Sequence, residues 1–477
     1  MDRPRYALGS WLYLRLLGAV LLIAFVSFWV QAHGLVGERG IAPAGELIAR
    51  LDRAGVGFFD HPTLAWLGAG NTALHAICAA GVVCALLVTL GVVTPYALFA
   101  SWLLYLSVVN LGFPFTAFQW DTLLVEATFA SIFLAPMRVI DRLRDTSEPE
   151  PLARWLLWAL LFRFMFRSGV VKLMSGDPTW ADLSALEHHY ETQPLPSVLG
   201  WYAYQLPAWA QEASAALMFL TELVVPFLIF VPSRWARRTA AAGFTGLMLL
   251  IALTGNYCFF NLLAIGFCLT LLDDDLLRRL RLPFRGADVE PRPDPLPPLA
   301  RRIPAGIALA LGALVFLTGF GAGRSLTAWL DPFRTFNNYG LFAVMTTERP
   351  EIVVEGSRDG VVWEPYVFEY KPGPVDRRPL YNQPHQPRLD WQMWFAALGS
   401  HRQSPWLRRF MQRLLAGEPA VLDLIEHDPF PDEPPRYVRA VLYDYRFTTF
   451  EERERTGAWW HREERGLFAP VLARPAP

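Results

Sequence analysis

The sequence predicts a polytopic α-helical membrane domain of about nine spans, followed by an extracytoplasmic α+β domain with a small antiparallel sheet. Three observations predict this. Of the 477 residues, 53% are hydrophobic and only 18% charged, the composition of a membrane protein. Apolar runs long enough to cross a bilayer recur as far as residue 320. Beyond that point, short alternating strands, turn signals and amphipathic helices take over. The chain therefore divides into residues 1–321, the membrane domain, and residues 322–477, the exterior domain.

Composition also excludes several classes. A net charge of −1 gives no field to draw in nucleic acid, so none is expected as a partner. Of the four cysteines, Cys78, Cys84 and Cys268 lie in apolar runs and Cys258 at the edge of one, with no CxxC spacing. Neither a disulfide framework nor a zinc site is expected, and no cofactor is implied. The sequence contains no phosphate-cradling loop, dinucleotide fingerprint, nucleophile elbow or HExxH.

The spans follow in order. Trp11–Val30 reads as an anchor, being long for a signal peptide and followed by further spans. Residues 31–64 carry a short amphipathic helix, GELIARLDRAG. Then come Trp66–Leu90, Tyr96–Leu111, Phe118–Pro136, Leu152–Lys172, Ala208–Val231, Trp235–Leu253 and the short Cys258–Leu272. A Pro- and Arg-rich stretch, residues 283–302, precedes Ile303–Phe320. With the basic N-terminus in the cytoplasm, Arg138/Arg142/Arg144, Arg234/Arg237/Arg238 and Arg278/Arg279/Arg281/Arg285 fall on that same side. Residues 174–207 and everything after 321 then lie outside.

Charges inside apolar segments are costly and mark a partner or a cavity. Asp121 and Glu126 lie in the fourth span, and Arg163, Arg167 and Lys172 in the fifth. The two spans run in opposite directions, and at about 1.5 Å rise per residue the depths match Glu126 with Arg163, and Asp121 with Arg167 or Lys172. An ion-pair lock between helices and a charged cavity opening outward both fit this ladder.

The following loop, GDPTWADLSALEHHYETQPLP, reads as a helix over Trp180–Tyr190 capped by Asp177. Within it, adjacent His188 and His189 point about 100° apart, and with no third ligand evident a hydrogen-bonded surface helix outweighs a metal site. Either histidine has the chemistry of a general base, against a packing role. Gly255-Asn256 signals a turn, and Arg388 and Asp390 are placed to clamp a helix start to the membrane part.

In the exterior domain, Tyr339–Met345 and Glu351–Ser357 read as strands. Arg358-Asp359-Gly360 is a turn leading into a return strand over Val361–Tyr370. Pro387–Leu398 and Ser404–Ala416 read as helices, and Tyr437–Phe447 as a further strand.

Several long motifs then go beyond generic chemistry. QWDTLLVE at 119–126, RFMFRSGVVKLMSGDPTW at 163–180, HYETQPLP at 189–196 and TGNYCFFN at 254–261 resemble the lipase maturation factor family. So do NNYGLFAVMTTERPEIVVEGSRDGVVW at 337–363, PHQPRLDWQMWFAALG at 384–399, YVRAVLYDYRF and WWHRE. The motif residues that carry the resemblance are Trp120, Asp177, Trp180, Tyr190, Gln193, Asn256, Tyr257, Arg349, Glu355, Arg388, Asp390 and Trp391.

The resemblance implies a membrane protein that assists folding, assembly or maturation of secreted clients such as lipases. In its animal relatives this happens in the endoplasmic reticulum. The cysteine-free exterior domain points to a bacterial member, in the inner membrane with its C-terminal domain in the periplasm. The membrane half bears a weaker, architectural resemblance to the horizontally transferred transmembrane group that includes vitamin K-dependent gamma-carboxylase. That alternative implies an enzyme with an outward-facing charged site, with Lys172, His188 or His189 as candidate base.

Overall fold

The computed structural model describes residues 4–143, 147–280, 294, 296–319 and 327–474. Arg144, Arg281, Arg285, Phe320 and the expected domain boundary lie outside these residues. The long helices are α1 (Ala7–Trp29), α2 (Asn71–Leu90), α3 (Thr94–Leu111), α4 (Gln119–Leu134) and α5 (Pro151–Met174). They continue as α6 (Ala208–Ile229), α7 (Arg234–Thr254), α8 (Phe260–Leu269) and α9 (Pro298–Thr318). Among the described residues, six of these are long and apolar enough to cross a membrane: α1, α2, α3, α6, α7 and α9. The other three expected spans are also helices, but α4 has 16 residues with two carboxylates, α5 carries basic residues, and α8 has only 10 residues.

Local chemistry sets the helix limits. The second span begins at Asn71 rather than Trp66, because Gly68 and Gly70 separate it from a 3-10 turn at Leu64–Leu67. Inside α6, a π-helical turn at Leu220–Val224 runs into a 3-10 segment, Val225–Ile229, that contains Pro226. Proline has no N–H to continue the ladder and its ring crowds the preceding turn, which accounts for the break. At this level α5 approaches closely: a Cβ on Gly169 would stand 2.7 Å from Leu223. Helix α4 is buried along most of its length, between α3 and α5.

The C-terminal part is a four-stranded antiparallel sheet in the order β2-β1-β3-β4. Its strands are β1 (Arg349–Ser357), β2 (Glu364–Pro365), β3 (Tyr437–Phe447) and β4 (Trp460–Ala473). Helices α10 (Arg388–Ala397) and α11 (Pro405–Leu415) lie between β2 and β3 in the chain, α10 against β1 and α11 against β3. One apolar core runs through both halves: Phe118 and Trp120 of the membrane part pack on Trp391 of α10.

Two strand expectations are corrected. Tyr339–Met345 is irregular, because Gln119 clasps the backbone of Gly340 at both its N–H and its carbonyl, each at 2.9 Å, and leaves no ladder to form. Of the return strand Val361–Tyr370, Glu364–Pro365 pairs with β1, and Tyr366 adds one amide bond to Val354 O at 2.9 Å. The amides of Val361 and Val362 are held by Asp359 Oδ1 at 2.8 and 2.9 Å, so the turn extends into the segment, and Pro365 has no N–H to donate.

Candidate functional site

The charged residues gather where the helix ends meet the sheet. Asp121 stands in the first turn of α4, fully buried. Its partner is neither Arg167 nor Lys172, as depth matching alone allows, but Arg388 at the start of α10. The two guanidinium N–H groups meet the two carboxylate oxygens at 2.9 Å each, and Tyr105 Oη donates to Oδ1 at 2.5 Å. Arg388 also donates to the carbonyl of Phe115 at 2.8 Å. Such a bidentate pair supplies direction as well as attraction. Depth alone selected the wrong cation because the true partner enters from a segment 267 residues away.

One turn deeper, Glu126 pairs with Arg163 as the matching depths predict. Its other oxygen accepts from Asn337 N at 2.9 Å, Asn337 Nδ2 at 3.0 Å and Tyr339 Oη at 2.6 Å. The carboxylate is thus saturated, and the segment after α9 is fixed to α4. Arg167 donates to the carbonyl of Gly319 at 2.9 Å. Lys172 is held by both oxygens of Glu222, at 3.0 and 2.8 Å, under the ring of Trp180. Glu222 sits in the π-turn of α6, brought close by Gly169. Sequence reasoning missed Glu222; a lone carboxylate in the apolar run TELVVP was its signal.

The loop after α5 forms two helices, not the one expected: Pro178–Ala181 and Ala185–Thr192. The break falls at Leu183, with φ +68°, where the Asp182 carboxylate takes both the amide and the hydroxyl of Ser184. Asp177 caps the first helix at Thr179 N, 2.9 Å, and takes the amide of Met345 at 2.6 Å. Burial raises its pKa, but these bonds outweigh it and hold the carboxyl below its ordinary range. His188 lies half-buried on the second helix. His189 is packed edge-on to Phe342, with Tyr257 Oη 3.3 Å from Nε2. Burial, then the charge of Lys172, lowers its pKa to about 4.

The remaining motif residues join the halves. Arg349 is buried with its guanidinium in a cage of backbone carbonyls, Glu191 O at 2.6 Å and Pro194 O at 3.0 Å among them, and it pairs with Glu351 at 2.6 Å. Gln193 Nε2 donates to Thr254 O at 2.8 Å and accepts at Oε1 from Tyr257 Oη at 3.1 Å. Asn256 Nδ2 donates to Leu380 O at 2.7 Å, and its Oδ1 accepts from Asn382 N at 3.1 Å. Trp180 Nε1 donates to Phe342 O at 3.0 Å. Tyr190 packs in an aromatic cluster with Trp201, Tyr445 and Trp460.

Two motif residues stay within the sheet domain. Glu355 pairs with Arg439 at 2.7 Å. Asp390 does not clamp the membrane part; it turns inward to the amides of Tyr370 and Lys371, at 2.9 and 2.8 Å, and burial raises it to about 6. Among the described residues, no three His, Cys, Asp or Glu side chains cluster as a metal ion would need.

Residues 8–279 match the profile of the "Lipase maturation factor transmembrane domain", and residues 335–470 that of the "Lipase maturation factor C-terminal domain". With the apolar helices described above, these matches define an integral membrane protein. The chain belongs to the lipase maturation factor family. It is 35% identical to lipase maturation factor 2 of Mus musculus, over 98% of this chain and 83% of the relative. It is 32% identical to lipase maturation factor 1 of Homo sapiens, over 96% of this chain and 87% of the relative. No solved structure matches the chain.

Proposed function

We propose that this lipase maturation factor-like membrane protein assists the folding, assembly or maturation of a secreted client such as a lipase. In this reading the chain crosses the inner membrane of a bacterium about nine times. The part beyond residue 321 is a separate domain that stands in the periplasm and works as a chaperone there. The observation that carries it is the closed state of the charge ladder. Asp121, Glu126, Arg163 and Lys172 are consumed in buried pairs: Asp121–Arg388 ties α10 of the sheet domain to α4, while Glu126–Arg163 and Lys172–Glu222 lock α4, α5 and α6 to one another beneath it. A scaffold that must present a surface to a client needs such a rigid mount. The motif residues then serve as mounting points rather than as reacting groups. A carboxylase-like enzyme instead requires an available base; Lys172 is tied to Glu222 and His189 stands against Phe342 and Tyr257, which leaves half-buried His188 as the base that reading would use.

The test is secretion of a lipase by the native host with and without this chain. The expected outcome is an unchanged amount of secreted lipase antigen with activity per molecule reduced several-fold, restored by the wild-type chain. Full lipase activity without the chain, together with an unchanged set of other secreted proteins, would overturn the reading. Thiol labelling of a cysteine placed at exposed residue 402, from outside intact inner membranes, checks the orientation.

A further inference from the structure

Next to the closed pairs lies open space. A chamber of about 980 Å³ is bounded by the ends of α3, α4, α5 and α9 and by the 3-10 turn Ala328–Phe333. Asn110, Thr122, Arg167, Thr318, Arg334 and Asn338 line it. All four helices end here, within about two turns of the chamber, so it lies at the depth where helix termini meet lipid headgroups.

Two cations face the chamber from different elements. Arg334 adopts the left-handed conformation, φ +49°, which is uncommon for a residue with a Cβ. It is held there because its carbonyl accepts from Asn337 Nδ2 at 2.9 Å, while the same Asn337 is fixed by Glu126. Its Nε donates to Asn110 Oδ1 at 3.3 Å, and its two terminal nitrogens make no hydrogen bond among the described residues. Burial lowers its pKa, with Asp331 opposing, so this guanidinium is partly desolvated without a bonded carboxylate. Arg167, on α5, supplies the second guanidinium.

The carboxylates sit further out. Asp60 and Asp331 line the same chamber and are exposed, while both arginines are half-buried. The buried part of the lining is mixed: Val315 and Phe336 are apolar, and Asn110, Thr116, Thr318 and Thr327 are polar. Beside Val315, α9 exposes Leu314 and Leu317, a surface suited to acyl chains.

We propose that this chamber binds the headgroup of a zwitterionic phospholipid, a phosphate diester bearing an ammonioethyl group. Arg167 and Arg334 take the phosphate oxygens, for which the guanidinium fork is suited. Asp60 and Asp331 face the ammonium, and the acyl chains leave along Val315 and the exposed side of α9. The site requires only that these helices end at a membrane surface, so it stands or falls apart from the maturation role.

The test uses the full chain purified in detergent, with native mass spectrometry counting bound dioleoyl phosphatidylethanolamine against dioleoyl phosphatidylglycerol. The wild type is expected to hold one phosphatidylethanolamine in preference to phosphatidylglycerol. Arg167→Gln with Arg334→Asn, the asparagine tolerating the left-handed backbone, is expected to lower the bound fraction about tenfold. Arg402→Gln, on the exposed surface, leaves it unchanged. Ala328→Trp, which fills the mouth from an exposed position and touches neither guanidinium, lowers it as well, which keeps the test valid if the double variant fails to fold. Equal binding by wild type and Ala328→Trp, or equal retention of the two lipids, overturns the proposal. So does thermal protection by soluble glycerophosphoethanolamine equal to that by the lipid, which would assign the chamber to a free phosphate compound.

Discussion

The seam and the chamber are built on the same helices, α4 and α5, yet they treat charge in opposite ways. In the seam three carboxylates meet cations at hydrogen-bond distance: Asp121 with Arg388, Glu126 with Arg163, Glu222 with Lys172. In the chamber, Thr122, Arg167 and Arg334 border open volume, and among the described residues Arg334 has no bonded carboxylate. Sealed pairs deep in a low-dielectric interior fix geometry, because losing one partner strands the other. The guanidinium of Arg334, whose terminal nitrogens make no hydrogen bond among the described residues, keeps its capacity for a ligand. One helix face therefore mounts a domain while its neighbour remains available for recognition.

Breaking the seam is expected to have the largest effect. Asp121→Ala leaves Arg388 buried without its partner and should destabilise the fold by about 3–5 kcal/mol, read as a lower melting temperature and faster proteolysis of the sheet domain. Asp121→Leu with Arg388→Met, a near-isosteric apolar pair, should recover most of that loss. If it does not, the pair contributes more than mutual neutralisation.

Acid should loosen the same seam to a smaller extent. His189 and His385 both have pKa values lowered to about 4 by burial, from an ordinary value near 6.5; Lys172 adds to the effect at His189 and Arg388 at His385. Each depressed value gives stability that is full above about 6.5 and lost as pH falls towards 4, at most about 3 kcal/mol per histidine. Asp390, raised to about 6, works against them, since its neutral form is favoured in the fold as pH drops. The expected net result is a melting temperature that falls between pH 6.5 and 4. His385→Gln, which removes the ring 3.0 Å from Ser27 Oγ, should flatten that slope. An unchanged slope would detach His385 from the acid response.

The smallest effect is expected at the chamber wall. Asn338→Ser, at an exposed position, should shift stability by no more than about 0.5 kcal/mol, measured by the same thermal scan. A loss as large as that of Asp121→Ala would erase the distinction between the two regions.

Legibility in the sequence followed the range of each interaction. Glu126 with Arg163 was readable, because two antiparallel neighbours share a depth scale. Asp121 with Arg388 was not, because nothing local marks a partner beyond the next domain. The strand expected at Tyr339–Met345 had the right alternation for the wrong reason: Tyr339 points its hydroxyl at Glu126, and Met345 gives its amide to Asp177. Strand β4 escaped notice because its charged start and Pro470 suit an exposed sheet edge and hide the period-2 signal. The chamber was invisible, since it is assembled from the ends of four helices and one distant loop.

The cage around Arg349 has a consequence for how this chain tolerates change. Its acceptors at residues 191, 193 and 194 are main-chain carbonyls, and a carbonyl is present whatever amino acid occupies the position. Spelling can drift there without moving the acceptors, but spacing cannot. Adding or removing one residue between Glu191 and Pro194 would rotate the carbonyls out of reach and leave a buried guanidinium unanswered. That short stretch behaves as a ruler, and the joint between membrane and sheet is calibrated in residues, not in side chains.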